Sequence, residues 1–342
     1  MKKKCDLIKR LIAGKEVKVL LYHHIDLDGF GALILMKYLE REFPNLTVSN
    51  IKCATDAEII YDDNTTIDLY IFDYIFIADL SIKTVKTAKL LESLNNSGLN
   101  IYIVDHHPTA LWLNDYDYAN IIPHDLDNGI VTCGTSLLFD LLNDNDNNCI
   151  KLDNKYVTDF INNVKEYDTF LWKRTKNKKA ENLNLLIKFS LDKNEFVTDI
   201  VDILYSSSYV LGDDDNENWL KLFIYSGIIS NEINLSEKLY KTINVNIKGK
   251  DLMCGYLYIN NYYSEIGNAL CERHPDIDFM MMINRNNGKV SFRSVKDINL
   301  TEIVKPLGGG GHKLAAGCTL PSYKYNCSIE ETLYYIFHSS KK

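Results

Sequence analysis

Residues 17–29 constrain this chain most: Val17-Lys18-Val19-Leu20-Leu21-Tyr22-His23-His24-Ile25-Asp26-Leu27-Asp28-Gly29. The first six residues are apolar and β-rich and predict a buried strand. The run stops at a polar cluster. Gly29 and Gly31 admit a turn, and 30–42 predicts an amphipathic helix that ends before Pro44. His24, Asp26 and Asp28 then lie at the carboxyl end of a strand, where open α/β sheets keep their ligands. Two carboxylates two residues apart, beside an imidazole, repel one another unless a cation lies between them. A metal ion supplies that charge. Taken alone, the stretch fits a polar strand-to-helix turn with an Asp cap equally well.

Two more predicted strands end in the same way. The run 67–80 (IDLYIFDYIFIADL) closes at Asp79, and 100–108 closes at Asp105-His106-His107, where Pro108 stops the element. One acidic strand ending is common in α/β proteins. Three that deliver Asp and His together point to metal-ligand chemistry.

The 342 residues are enough for two domains, and a 46% hydrophobic fraction fills sizeable cores. No run of 18 apolar residues is present, so no transmembrane helix and no membrane partner are expected. The basic N-terminus leads into an amphipathic helix rather than a signal-peptide core, which predicts a cytoplasmic protein. Eight cysteines are scattered without a CxxC pair, so they read as buried free thiols, not a zinc ribbon or a disulfide framework. The net charge of −8 argues against long duplex DNA, whose binding requires neutralising many phosphates. A short anionic substrate remains compatible.

Residues 1–180 alternate apolar runs with amphipathic stretches, which predicts βα units and a parallel sheet. Strands are expected near 17–23, 46–53, 68–78, 100–104 and 118–122, and helices near 30–42, 82–95, 134–143 and 153–166. The Asn/Asp-rich 143–155 reads as a solvated loop. Residues 181–243 are helical in pattern, interrupted by the acidic break 212–216, and form an expected linker region in which 217–243 is one long helix. Alternation returns in 244–342, with strands near 244–249, 252–260, 277–284 and 288–294 and helices near 263–273, 299–305 and 328–338. This is a second, smaller α/β domain.

His24-x-Asp26-x-Asp28-Gly29, Asp79 after a strand, and Asp105-His106-His107 resemble the first three motifs of the DHH phosphoesterase superfamily. Val290-Ser291-Phe292-Arg293-Ser294, then Leu307-Gly308-Gly309-Gly310-Gly311-His312-Lys313-Leu314-Ala315-Ala316-Gly317, resembles its DHHA1 domain. The HxDxDG form and Tyr167-Asp168-Thr169-Phe170-Leu171-Trp172 look most like oligoribonucleases of the nano-RNase B type. The resemblance implies a DHH catalytic domain in 1–180 and a DHHA1 substrate-binding domain in 244–342. It also raises Asp168, by itself a helix cap or turn former, to a metal ligand.

Oxygen and imidazole ligands without thiolate suit Mn²⁺ or Mg²⁺ better than structural zinc. His24, Asp26, Asp28, Asp79, His106 and Asp168 are too many for one open catalytic ion. The resemblance implies two Mn²⁺ bridged by Asp79, with His24 and Asp26 on one and Asp28, His106 and Asp168 on the other. Two ions about 3.5–4 Å apart stabilise in-line attack on phosphorus. Asp105 is the natural acceptor for a metal-site imidazole, and His107 is left to donate to a phosphoryl oxygen. The glycines 308–311, among them Gly309, Gly310 and Gly311, can approach an anion closely and turn their N–H groups toward it. Arg293 and His312 add charge-assisted donors. The basic run Lys173–Lys179 reads as a solvated loop or a path for a backbone phosphate.

The expected enzyme is therefore a metal-dependent phosphodiesterase that releases nucleoside monophosphates from short oligoribonucleotides, as a monomer or a homodimer. Alternative substrates are linear or cyclic dinucleotides and 3′-phosphoadenosine 5′-phosphate. The alternative of another class is a non-catalytic nucleotide-binding protein.

Overall fold

The computed structural model describes residues 3–54, 68–143, 152, 154–206 and 219–338. The acidic break 212–216 and most of the Asn/Asp-rich stretch 143–155 lie outside them. The chain divides into two compact units, Met1–Leu222 and Phe223–Lys342.

The first unit opens with helix α1 (Leu7–Ile12), strand β1 (Val17–His24), helix α2 (Leu27–Glu42) and strand β2 (Leu46–Cys53). Strand β3 (Tyr74–Ala78), helix α3 (Val85–Asn96), strand β4 (Asn100–Asp105) and strand β5 (Ala119–Ile121) complete a five-stranded parallel sheet in the order β2-β1-β3-β4-β5. Helices α4 (Gly134–Asn143), α5 (Lys155–Asp168), α6 (Leu171–Thr175), α7 (Lys178–Phe189) and α8 (Lys193–Ser206) follow. The strand alternation buries both faces of the sheet. Val19, Leu21, Phe76 and Val104 enter one core with α2, α4, α5, α7 and α8, while Leu20, Tyr22, Ile75 and Ile103 enter another with α3. Burial on both faces is what parallel sheets require.

Three sequence expectations change here. Helix α2 begins at Leu27 rather than Phe30, so Asp28 lies in its first turn and Asp26 is its N-cap. It is also not amphipathic: residues on all sides of it, from Leu27 to Leu39, are buried, because it is enclosed by β1, β2, α4, α5 and α8. The predicted strand 68–78 begins only at Tyr74. Asp68 accepts from the Tyr70 N–H and turns Leu69–Ile71 into a short 3₁₀ segment, and Asp73 is held by Arg10 and the Lys18 N–H. Helices α7 and α8, in the stretch expected to link the domains, bury Leu183, Ile187, Phe196 and Ile200 in the core of the first unit.

Helix α9 (Trp219–Glu237) crosses the boundary between the units. The second unit then adds β6 (Lys241–Ile247), β7 (Lys250–Tyr258), α10 (Tyr263–Arg273), β8 (Phe279–Ile283), β9 (Lys289–Arg293), α11 (Thr301–Val304), β10 (Gly310–His312), β11 (Ala315–Thr319), α12 (Ser322–Tyr325) and α13 (Ile329–His338). Its sheet has the order β10-β11-β9-β8-β7-β6 and is mixed, only β7 and β8 running parallel. The hairpin β10–β11 was not expected, because glycine disfavours strands and its run shows no alternation. The seven described cysteines are unbonded, and all but Cys327 are buried. Among the described residues, no helix is long and apolar enough to cross a membrane.

Candidate metal centre

In the order β2-β1-β3-β4-β5 the chain reverses direction across the sheet between β1 and β3. Open α/β sheets bind ligands outside the carboxyl ends of the strands at this switch point. His24 ends β1, Asp79 directly follows β3, and Asp105, His106 and His107 end or follow β4. Asp168 arrives separately, as the last residue of α5.

These side chains meet as two clusters that share a neighbourhood. His24, Asp26 and Asp79 form one, and Asp28, His106 and Asp168 the other, each with its ligand atoms within 4.8 Å of one another. Asp79 reaches both. Its Oδ2 lies 3.7 Å from His24 Nδ1, and its Oδ1 lies 3.3 Å from His106 Nε2. Asp168 Oδ2 also lies 3.3 Å from His106 Nε2. Asp26 takes a hydrogen bond from the His24 ring at 2.7 Å and from the Gly29 N–H at 3.1 Å.

The electrostatics call for a cation. Among the described residues, Asp79 Oδ2 and Asp168 Oδ2 are buried and have no hydrogen-bond partner. Burial, followed by the charges of neighbouring aspartates, pushes both carboxyls well above the usual carboxylate range. Burial and the adjacent His107 lower His106 to about 3, which keeps its ring neutral and able to ligate. Oxygen and imidazole donors around buried, unpartnered carboxylate oxygens fit hard or borderline divalent ions.

Asp105 does a different task. It is fully buried and accepts from the Ser81 hydroxyl at 2.9 Å, the His106 N–H at 2.8 Å and the His107 Nδ1–H at 2.7 Å. The imidazole it orients is therefore that of His107, not of His106. Burial alone lowers His107, but the charge and hydrogen bond of Asp105 outweigh it and raise the ring to about 9.

Three features of this centre escape a reading of the sequence. Both Asp28 oxygens accept backbone N–H groups at the start of α4, from Gly134 at 2.5 Å and Thr135 at 2.8 Å, and the Thr135 hydroxyl donates to the Asp28 carbonyl at 2.6 Å. Gly134 has no room for a side chain, since a Cβ there lies 2.6 Å from Asp79 Cβ. A fourth imidazole, His124, lies with its ring centroid 5.9 Å from that of His106. Gly134-Thr135 at a predicted helix start was the one visible signal, and nothing local tied it to Asp28.

The second unit holds the remaining expected residues. Arg293 pairs with Ala315, and Ala315 with His312, so Arg293 and His312 project from one face of three adjacent strands with only a methyl between them. Arg293 donates to the Ser264 hydroxyl at 2.7 Å and the Phe292 carbonyl at 2.8 Å. Two of the four glycine N–H groups are already committed, Gly308 to the Lys305 carbonyl and Gly309 to the Val304 carbonyl, which corrects the expectation of a four-residue anion nest. Gly309 is instead required for packing, because a Cβ there meets the Gly317 carbonyl oxygen at 2.3 Å. Gly310 and Gly311 pair with Gly317 and Ala316 in the hairpin.

The family model for the N-terminal domain of the DHH family matches residues 18–161, and that for the DHHA1 domain matches 264–334. The chain carries a DHH domain followed by a DHHA1 domain. With these domains it is a metal-dependent phosphoesterase. It is 29% identical over 312 residues to oligoribonuclease NrnB of Bacillus subtilis, an alignment that covers 91% of this chain and 75% of that protein. Two solved structures share its fold. An exopolyphosphatase-related protein from Bacteroides fragilis aligns with a TM-score of 0.53 at 15% identity over 98% of this chain and 94% of its own. PggH, a pGpG-specific phosphodiesterase from Vibrio cholerae, aligns with a TM-score of 0.52 at 11% identity over 95% and 99%.

Proposed function

We propose that this DHH–DHHA1 phosphoesterase is a Mn²⁺-dependent phosphodiesterase that releases nucleoside monophosphates from short oligoribonucleotides. One observation carries the chemistry: two neighbouring His/Asp clusters that Asp79 reaches together, with buried carboxylate oxygens that lack a hydrogen-bond partner among the described residues. The likeness to the oligoribonuclease NrnB supports the substrate class.

His24, Asp26 and Asp79 would hold one ion, and Asp79, Asp28, His106 and Asp168 a second. When bound, such ions polarise the phosphoryl group and lower the pKa of water. The protein does the rest. Asp28, clamped by α4, presents its remaining lone pairs in one fixed direction. His107, held protonated by Asp105, donates to a phosphoryl oxygen as negative charge builds there. Arg293 and His312 would hold a phosphate or terminal nucleotide of the substrate. The net negative charge of the chain favours short substrates over long polymers.

Linear dinucleotides lie at the short end of the same class, and the product pattern separates them from longer RNAs. A purely nucleotide-binding role leaves the buried, unpartnered acids without a purpose. The test is hydrolysis of end-labelled short RNAs with EDTA, Mg²⁺ or Mn²⁺. Activity is expected with Mn²⁺, is lost in EDTA and returns on adding Mn²⁺. Undiminished hydrolysis in EDTA would remove metal catalysis from this reading.

A further inference from the structure

His124 belongs to none of the motifs that identify the metal centre, yet the fold delivers it there. It follows β5, the edge strand next to β4, and its ring lies beside His106 with an interplanar angle of 34°. The His106 and His107 rings are 4.6 Å apart, so three imidazoles line one side of the centre.

The loop that carries His124 is braced rather than loose. Asp125 and Ile130 form an isolated antiparallel bridge with N···O distances of 2.7 and 2.8 Å. The Asp125 carboxylate accepts from the N–H groups of Asp127 and Asn128 and from the Asn128 side chain at 2.7 Å. The Thr132 hydroxyl ties the far end of the loop to the Ile122 carbonyl at 2.7 Å. Pro123 fixes the backbone on the near side. A short segment with this many local bonds holds its side chains in place without help from a core. His124 is half-buried, with Nδ1 enclosed by protein.

We propose that His124 is a substrate-contacting residue, whose imidazole donates to a non-bridging oxygen of the phosphodiester being cleaved. The inference rests on the phosphodiesterase reading above. A phosphoryl group beside His106 must meet the side chains that ring it. His107 serves it from one direction, and His124 is the other imidazole that the sheet edge supplies. The phosphate contact is common to every phosphodiester substrate and carries no preference for base or length. Its loss is therefore felt equally by an oligonucleotide and by a small generic diester.

The test compares His124→Ala and His124→Gln with the wild type, on a dinucleotide and on bis-p-nitrophenyl phosphate. Mn²⁺ affinity is measured by calorimetry on the same samples. His124→Ala is expected to lower kcat/KM about 10- to 100-fold on both substrates, the loss of one charge-assisted hydrogen bond. Mn²⁺ affinity should be unchanged, and His124→Gln, which keeps an N–H donor at similar reach, should recover part of the rate. Three results would overturn the proposal: unchanged kinetics in His124→Ala, a loss confined to the dinucleotide, or weakened Mn²⁺ binding, which would make His124 part of the metal site. A wild-type enzyme that hydrolyses neither substrate with Mn²⁺ would instead sink the phosphodiesterase reading itself, and this contact with it.

Discussion

Asp79 occupies left-handed backbone at φ 57°, and one of its carboxylate oxygens is buried without a partner. A non-glycine residue there costs of order 1–3 kcal/mol. Burial of its carboxyl among other aspartates adds to that, so Asp79 weakens the metal-free fold while lying beside both clusters. Asp79→Asn keeps a side chain that tolerates this backbone and removes the charge. The metal-free variant is expected to melt at or above the wild-type temperature, while hydrolysis of every phosphodiester falls by several orders of magnitude. Near wild-type rates in Mn²⁺ would refute the shared-ligand role. Neighbouring Gly134 makes the complementary case. In Gly134→Ala the new methyl meets Asp79 Cβ at 2.6 Å and Asp28 Oδ2 at 3.0 Å. Overpacking of this kind costs about 1–3 kcal/mol, and calorimetry should show weaker Mn²⁺ binding because two proposed ligands are displaced together.

The same carboxyls set a pH dependence. Burial and neighbouring charges raise Asp79 and Asp168 in the folded chain well above their unfolded value of about 4. A raised carboxyl contributes stability that is full below the unfolded pKa and is lost as pH rises through the folded one. The metal-free protein should therefore lose stability between mildly acidic and neutral pH. Binding an ion needs the deprotonated forms and releases protons. The rise in melting temperature on adding Mn²⁺ is expected to grow with pH, as thermal scans in EDTA and in Mn²⁺ would show. A rise that shrinks toward neutral pH would contradict the ligand assignment.

At the scale of elements, the centre depends on the start of α4 gripping the first turn of α2. Thr135→Val removes the hydroxyl that donates to the Asp28 carbonyl and should cost about 0.5–1.5 kcal/mol of stability, with Thr135→Ser restoring it. This contact joins residues 107 apart, which explains why no local pattern revealed it. What the sequence does display is local. β1, β3 and β4 are apolar runs that end at His24, Asp79 and Asp105, and a parallel sheet turns three such endings toward one edge. Asp168 was visible only through resemblance, since an Asp ending a helix is ordinary in itself. The partner of Asp105 proved to be His107 because a strand end aims consecutive side chains differently, and spacing alone does not say which ring returns to it. The glycine run hid a hairpin for the reason that makes glycine useful there: without side chains it shows no alternation, yet only glycine fits against the Gly317 carbonyl.

At the scale of the whole molecule, the proposed metal ligands and the proposed substrate anchor fall in different units. Arg293 lies in the second unit and the six proposed ligands in the first. Arg293→Ala is expected to raise KM for short oligonucleotides by roughly 10- to 100-fold, the loss of a charge-assisted contact. Hydrolysis of bis-p-nitrophenyl phosphate, which lacks a terminal nucleotide, should stay nearly constant. Equal losses on both would place Arg293 at the reacting phosphate and end this division of labour.

The most direct measurement is the product ladder from end-labelled RNAs of increasing length, from the dinucleotide upward, incubated with Mn²⁺ and separately with EDTA. The result predicted is stepwise release of nucleoside monophosphates in Mn²⁺, fastest on the shortest chains, and none in EDTA. Intact RNA at every length in Mn²⁺, or cleavage that persists in EDTA, would contradict a metal-dependent oligoribonuclease.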